Sequence, residues 1–456
     1  MTRHFHSWLA VFLTLVLLLE GCAGESRPAS YLVIPHPDGH LYAGDLVSFE
    51  VLAPGEMLNQ AVTVSFEGQE LGSTTFNPYG LGKRVQGTVW WVWDTTDLEP
   101  GVYNLTFSLA DGFNWVHQLR LHPASQVPEP EPEAAWESTL TDCCIIHYIS
   151  GTDAERDLDT LIALANQESA SVAAQFGTIL PEPIPVIFIP RVIGHGGFAW
   201  NGVYISYLDE NYVASELNMV LHHEFVHYYD SWVGGEHLPS MLREGLAVYY
   251  TGGHFKPEPI AQRASALLNL DWYIPLEILA DDFYNQQHEI GYLEAAALVQ
   301  YIHETHGPGS FNEFYRTISY LEGKTDAQIL EAAMQQDYSL SLTEFETGFI
   351  GYLSSQTVTD DIRRDLELTV ADYDLVRRYQ SLFDPSAYFL TAWLPDGLVM
   401  RDRGIVADFT RRPVAWQNLL VEALIRRANA NLFAGNYKSA EQGIYWISKL
   451  MDIPGR

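Results

Sequence analysis

One short segment divides the chain into two kinds of pattern. In Val127-Pro128-Glu129-Pro130-Glu131-Pro132-Glu133, prolines fix φ and remove backbone donors at every second position, and like charges repel. Neither helix nor sheet can run through it, and the composition predicts an extended, semi-rigid spacer over residues 124–137. Before it, residues 30–123 hold short alternating or apolar runs (46–52, 61–66, 89–93) separated by Gly, Pro, Asn and Asp, the pattern of an all-β sandwich. After it, β-like runs at 144–149 and 185–189 bracket a helical stretch at 154–176, which predicts an α+β domain over 138–355. From about residue 214 onward nearly every segment has helical periodicity: 215–232, 239–251, 290–306, 311–321 and 342–353. Residues 356–456 are expected to be a helical C-terminal region ending in an αα-hairpin, 416–432 and 439–451, around Gly435-Asn436-Tyr437. A single such pair resembles one tetratricopeptide-type unit and is expected to pack as an appendage, since one unit is not an array.

Charge narrows the partners. With 25 Lys+Arg against 58 Asp+Glu, the formal charge is −33, a field that repels phosphate backbones, and the sequence shows no basic patch that would rescue nucleic-acid binding. The paired arginines Arg363-Arg364, Arg377-Arg378, Arg411-Arg412 and Arg426-Arg427 are expected on solvated helix faces. Three cysteines cannot build a disulfide framework, and the adjacent Cys143 and Cys144 are expected to be buried in a strand.

At the N-terminus, Arg3, His4 and His6 precede an apolar run over 8–19, too short for a membrane span and of the length of a signal-peptide core. The run stops at Leu19-Glu20-Gly21-Cys22, which resembles a bacterial lipobox apart from Glu20. Residues 1–21 are therefore expected to be a signal peptide. The chain would be exported and anchored in a membrane through lipid on Cys22, with an ordinary cleaved signal as the other reading.

Chemistry concentrates within 215–232. There His222-His223-Glu224-Phe225-Val226-His227 contains the spacing His-Glu-x-x-His. At 3.6 residues per turn, His223 and His227 lie about 40° apart on one helix face and can meet one metal ion, while His222 is rotated by about 100°. A hydrolytic zinc site needs three protein ligands and one open position, so a third donor must come from another element. Glu244, within Met241-Leu242-Arg243-Glu244-Gly245-Leu246-Ala247 on the expected next helix, is the candidate. Asp230, one turn after His227, reads equally as a carboxylate orienting an imidazole or as a helix-end charge.

His-Glu-x-x-His on one helix followed by Glu-Gly-Leu-Ala on the next resembles the gluzincin metallopeptidases, in particular the peptidase MA-like group, over roughly residues 137–353. The N-terminal sandwich, with Leu98-Glu99-Pro100-Gly101-Val102-Tyr103 and a following Asp111-Gly112, resembles bacterial immunoglobulin-like domains. The gluzincin resemblance implies Zn²⁺ held by His223, His227 and Glu244, with Glu224 as general base for a water that attacks a peptide bond. Tyr292, in Tyr292-Leu293-Glu294-Ala295, falls where related enzymes carry an oxyanion-binding tyrosine; from the residues alone it is equally a half-buried helix tyrosine. The segment Gly196-Gly197-Phe198-Ala199-Trp200-Asn201-Gly202, leading into a strand at 203–207, matches the strand that borders the family's substrate cleft, or else is an ordinary edge strand with a Gly bulge. No Met-Glu-Asn signature for gripping a free amine is present, so exopeptidase action is not carried over.

Three functions follow from these residues. The first is an extracytoplasmic zinc metallopeptidase acting on peptide or protein substrates. The second is a lipid-anchored surface binding or adhesion protein built on a low-turnover metallopeptidase scaffold. The third is a zinc hydrolase of non-peptide amides or esters.

Overall fold

The computed structural model of the protein describes residues 31–37, 39–79, 84–190, 196–207, 216–234, 238–384, 397–411 and 415–452. The expected signal peptide and Cys22 anchor lie outside them. No helix among the described residues is long and apolar enough to cross a membrane.

Strands fill the N-terminal part: β1 (Leu32–His36), β2 (Leu41–Tyr42), β3 (Leu46–Ala53), β4 (Ala61–Phe66), β5 (Gln69–Thr75), β6 (Asn77–Tyr79), β7 (Arg84–Asp94), β8 (Gly101–Leu109) and β9 (Asn114–His122). They form two sheets, ordered β1-β3-β7-β6 and β2-β9-β8-β4-β5. Side chains alternating inward from both sheets, among them Val47, Phe49, Val51, Val62, Val64, Leu105 and Phe107, share one core with Trp93. This is a β-sandwich, as the alternating runs imply.

The Pro-Glu segment departs from the expected extended spacer. It folds into two short 3₁₀ turns, Ala124–Gln126 and Glu131–Glu133. Arg411, expected on a solvated face, is instead buried and grips both sides of this junction. Its guanidinium donates to Asp45 Oδ2 at 2.6 Å and Oδ1 at 2.8 Å, and to Glu131 Oε2 at 2.6 Å. The ion pair holds Glu131, and with it the second turn, beside Asp45 of the sandwich.

Beyond it, β10 (Trp136–Leu140), β11 (Cys144–Ile149), β12 (Ile184–Ile189), β13 (Gly197–Ala199) and β14 (Val203–Ser206) make a mixed sheet ordered β10-β11-β12-β14-β13. Helix α1 (Leu158–Phe176) is the crossover from β11 to the parallel β12, and Gly177, at φ +65°, ends it in the left-handed conformation. Both faces of the sheet are covered, which explains apolar runs without strict alternation. Ile146, Val186, Phe188 and Ile205 face the helical core, whereas Ile187, Ile189 and Tyr204 face Met400 and Phe409 from far along the chain. Cys143 and Cys144 are joined to each other by a disulfide at the entry to β11, where Cys144 is fully buried; adjacent thiols pair locally without forming a framework.

The remainder is helical: α2 (Leu217–Val233), α3 (Ser240–Thr251), α4 (Ile260–Asn269), α5 (Leu276–Asp281), α6 (His288–His306), α7 (Pro308–Thr317), α8 (Asp326–Tyr338), α9 (Leu342–Ser354), α10 (Asp360–Phe383), α11 (Gly397–Asp402), α12 (Ala407–Thr410), α13 (Trp416–Phe433) and α14 (Tyr437–Met451). Two boundaries move for identifiable reasons. Helix α6 begins two residues before the expected 290 because the Gln287 side chain accepts from Ile290 N and caps it. Helix α7 starts at Pro308, a residue preorganised for the first helical position, and stops at Thr317 rather than at 321. The α13–α14 hairpin packs on α10 through Leu375, Tyr379, Val421, Ile425 and Ile447.

Candidate metal centre

Helix α2 places His223 and His227 on one face, with their Nε2 atoms 3.0 Å apart. Helix α3 crosses that face and directs Glu244 Oε2 to 3.3 Å from His223 Nε2 and 3.0 Å from His227 Nε2. The approach depends on Gly245. A Cβ there would sit 2.5 Å from the Ala295 carbonyl oxygen on α6, so only glycine lets α3 lie this close to α6 with Glu244 facing the histidines.

The donor set fits a zinc ion. Around a tetrahedral ion with ligand bonds of 2.0–2.2 Å, neighbouring donors lie about 3.3–3.6 Å apart, so the observed 3.0–3.3 Å needs an opening of a few tenths of an ångström. Two imidazole nitrogens and a carboxylate oxygen all turn lone pairs towards one point, which a cation between them would satisfy. Burial favours the neutral imidazole of His223, whose pKa is lowered to about 4. At His227 burial acts the same way, but the carboxylates of Glu244, Glu224 and Asp230 outweigh it and push its pKa up to about 9. Burial likewise opposes ionisation of Glu244, yet His227 and His223 hold it well below the usual carboxylate range.

Glu224, adjacent to His223, is buried, and its Oε2 has no hydrogen-bond partner. Desolvation pushes its pKa up to about 8; His227 counteracts this and Glu244 reinforces it. Strand β13 passes directly over it. A Cβ on Gly197 would meet Tyr204 O at 2.5 Å and Glu224 Cγ at 3.0 Å. The strand bordering the cleft is thus β13, Gly197–Ala199, with β14 one position inside the sheet. Residues 203–207 are expected to form that border; a tight reversal at 200–202, closed by Trp200 N donating to Gly202 O at 2.9 Å, instead places β13 one strand further out.

Tyr292, on α6, is buried on the cleft wall, with its ring 6.4 Å from that of His223. Desolvation, then the Glu244 charge, raises its hydroxyl pKa well above the ordinary value, so it stays a proton donor. His222 points away, as its rotation requires, to Glu168 at 2.9 Å and Gln175 at 3.0 Å. Asp230 orients no imidazole by a hydrogen bond among the described residues; its Oδ2 accepts from the Tyr315 hydroxyl at 3.0 Å, and His227 Nδ1 is buried without a partner.

The cleft around these residues holds about 680 Å³. Several of its residues carry no local sequence signal. Tyr284 donates its hydroxyl to Glu244 Oε1 at 2.7 Å and so holds the second oxygen of the third ligand. His254, His288 and Glu289 line the wall beside Tyr292. From α10 come Tyr373 and Arg377; the latter is buried rather than solvated, stacks over the Tyr373 ring at 4.7 Å and donates to Gln380 at 2.8 Å. The only sequence cues to this wall are the Gly252-Gly253-His254 turn and the His288-Glu289 pair at a helix start, neither of which implies a site alone.

No family model matches the chain, and no curated protein matches it. Among solved structures it is similar to an M1 zinc metallopeptidase from Deinococcus radiodurans at 12% identity and a TM-score of 0.31, over 72% of this chain and 94% of that one. An aminopeptidase N family protein from Idiomarina loihiensis gives 10% identity and a TM-score of 0.25, over 81% of this chain and 78% of that one. Similarity at this level does not establish a common fold, so function rests on the site itself.

Proposed function

We propose that the protein is a gluzincin-type zinc metallopeptidase of the peptidase MA-like kind, hydrolysing peptide bonds with Glu224 as general base. The observation that carries this reading is the convergence of His223, His227 and Glu244 beside a buried carboxylate with an unpartnered oxygen. When bound at those three residues, zinc supplies Lewis acidity: it lowers the pKa of a water towards ~7 and polarises a carbonyl oxygen.

The chain's own residues account for the rest. Glu224 Oε2, unpartnered and next to the donor triad, accepts a proton from the attacking water and passes it to the leaving amine. The Tyr292 hydroxyl donates a hydrogen bond to the developing oxyanion. Strand β13, last in the order of the described sheet, lies along the cleft, and an extended peptide would run beside it. An intact, unpartnered base beside the donor triad favours turnover over a pure binding scaffold. Export, and a membrane anchor through Cys22 on the extracytoplasmic face, complete the proposal and rest on the pattern of residues 1–22.

Glu224→Gln tests it. The zinc content should match the parent, because the metal ligands are intact, while cleavage of a quenched-fluorescent peptide library falls by about 10²–10⁴-fold. His227→Ala should lose the zinc. A Glu224→Gln protein that cleaves at near-parental rates refutes the mechanism.

A further inference from the structure

We propose that His254, His288 and Glu289 form a second divalent-cation site on the wall of the same cleft. Their donor atoms all lie within 4.8 Å of one another, and His254 Nδ1 is 3.0 Å from Glu289 Oε1. This inference goes beyond the peptidase reading and shares with it only the cleft.

Two unrelated pieces of backbone build the group. Helix α3 ends at Gly252, at φ +83°, and Gly253 follows at φ +152°, where a Cβ would lie 2.0 Å from Lys256 O. That pair of glycines turns the chain back into the cleft, and the turn is pinned where His254 N donates to Glu258 Oε1 at 3.1 Å. His288 and Glu289 arrive from the other side as the first two residues of α6, whose start is set by the Gln287 cap.

The His288 ring is held by stacking, 4.1 Å from Tyr292 and 4.6 Å from Tyr373, the latter pair only 5° from parallel. It is buried, and its ring nitrogens make no hydrogen bond among the described residues. With the ring on the cleft wall and no partner among the described residues on either nitrogen, His288 can turn a lone pair to a cation in that space.

Charge supports a cation here. Glu289, Glu258 and Glu244 all act on His254, against Arg377 near His288 and Arg263 beside Glu258. Two imidazoles and one carboxylate suit zinc and its transition-metal neighbours better than calcium or magnesium, which prefer all-oxygen shells. The His223 and His254 rings are 6.0 Å apart, so both groups face one space, with Tyr292 against each.

The test is metal stoichiometry on the full chain, by equilibrium dialysis against Zn²⁺ followed by elemental analysis, with circular dichroism to confirm folding. The parent should hold two ions per chain, Glu289→Gln one, His227→Ala one, and the double variant none. His288→Phe, which keeps the stack between the tyrosines, serves as the second probe and should also hold one. A parent that binds a single ion, lost in His227→Ala and retained in Glu289→Gln and His288→Phe, overturns the second site and leaves the peptidase reading intact. A single ion that survives His227→Ala but not Glu289→Gln supports the second site and removes zinc from the first.

Discussion

Tyr284→Phe isolates one hydrogen bond to Glu244, the proposed third metal ligand. The phenol donates to Glu244 Oε1 at 2.7 Å, while Oε2 of the same carboxylate faces the two histidines. Phenylalanine preserves the ring packing and deletes only the donor. A hydrogen bond to a charged group contributes about 1.5–3 kcal/mol net. Tyr284 is 40% exposed, so water can replace the lost donor and recover part of that, leaving a loss near the lower bound. At about 1.4 kcal/mol per factor of ten, zinc affinity should fall about tenfold, consistent with the 10–100-fold range for outer partners of metal ligands.

The assay is competition for zinc against a fluorescent chelator of known affinity at pH 7.5, with urea unfolding of the metal-free proteins alongside. Two results would refute the reasoning. A dissociation constant within twofold of the parent would mean that the phenol does not support the ligand. A metal-free protein destabilised by the full 1.4 kcal/mol or so would mean that the bond belongs to the fold instead.

Three further substitutions probe the surroundings. Gly245→Ala puts a Cβ 2.5 Å from a backbone oxygen that cannot yield, so α3 must retreat from α6. The expected cost is about 1–3 kcal/mol in urea unfolding, with weaker zinc retention, since Glu244 moves with the helix. Arg411→Met leaves Asp45 and Glu131 buried without their cation and should cost about 3–5 kcal/mol, read as a lower Tm, with Asp45→Asn restoring part of it. Asp372 is held neutral by desolvation, which raises its pKa to about 7 despite a hydrogen bond from Asn429. A carboxyl whose folded-state pKa lies above its unfolded value contributes stability below pH 4 that is lost as pH rises through 7. Asp372→Asn should therefore match the parent in unfolding free energy at pH 4 and exceed it at pH 8 by up to about 4 kcal/mol; equal stabilities at pH 8 would count against a buried neutral acid.

What could be read from the sequence is what is encoded locally. The four-residue spacing of His223 and His227 settles their common face as soon as the segment is helical, and apolar runs at β11 and β12 announce strands whatever covers them. Glu244 needed the resemblance, because nothing within Glu244-Gly245-Leu246-Ala247 states which way its helix crosses α2. Its placement depends on the close approach of α3 to α6 at Gly245 and Ala295, a contact between residues fifty positions apart that leaves no periodicity behind. The same holds for Arg411, whose partners Asp45 and Glu131 are 366 and 280 positions away; a rule for paired arginines on helices sees only near neighbours and puts the residue in solvent. The Pro-Glu segment folds for a related reason: its composition argues for extension, and the guanidinium that holds Glu131 in a turn comes from 280 positions away.

Long-range and local electrostatics then divide the work at the cleft. A chain of net charge −33 draws in divalent cations and disfavours anionic ligands before any contact is made. Within the cleft that preference becomes selective, because the carboxylates of Glu244 and Glu289 are each backed by imidazoles rather than by further carboxylates. An all-carboxylate cluster would accept calcium or magnesium; imidazole nitrogens shift the choice to zinc and its neighbours. Arg243 and Arg377 line the same space, so a peptide can meet positive charge there without the global field being reversed. Charge reversal at the surface should therefore alter how fast metal and substrate arrive, whereas the choice of ion at the two proposed sites would rest on six side chains whose positions depend on Gly245, Gly253 and the Gln287 cap.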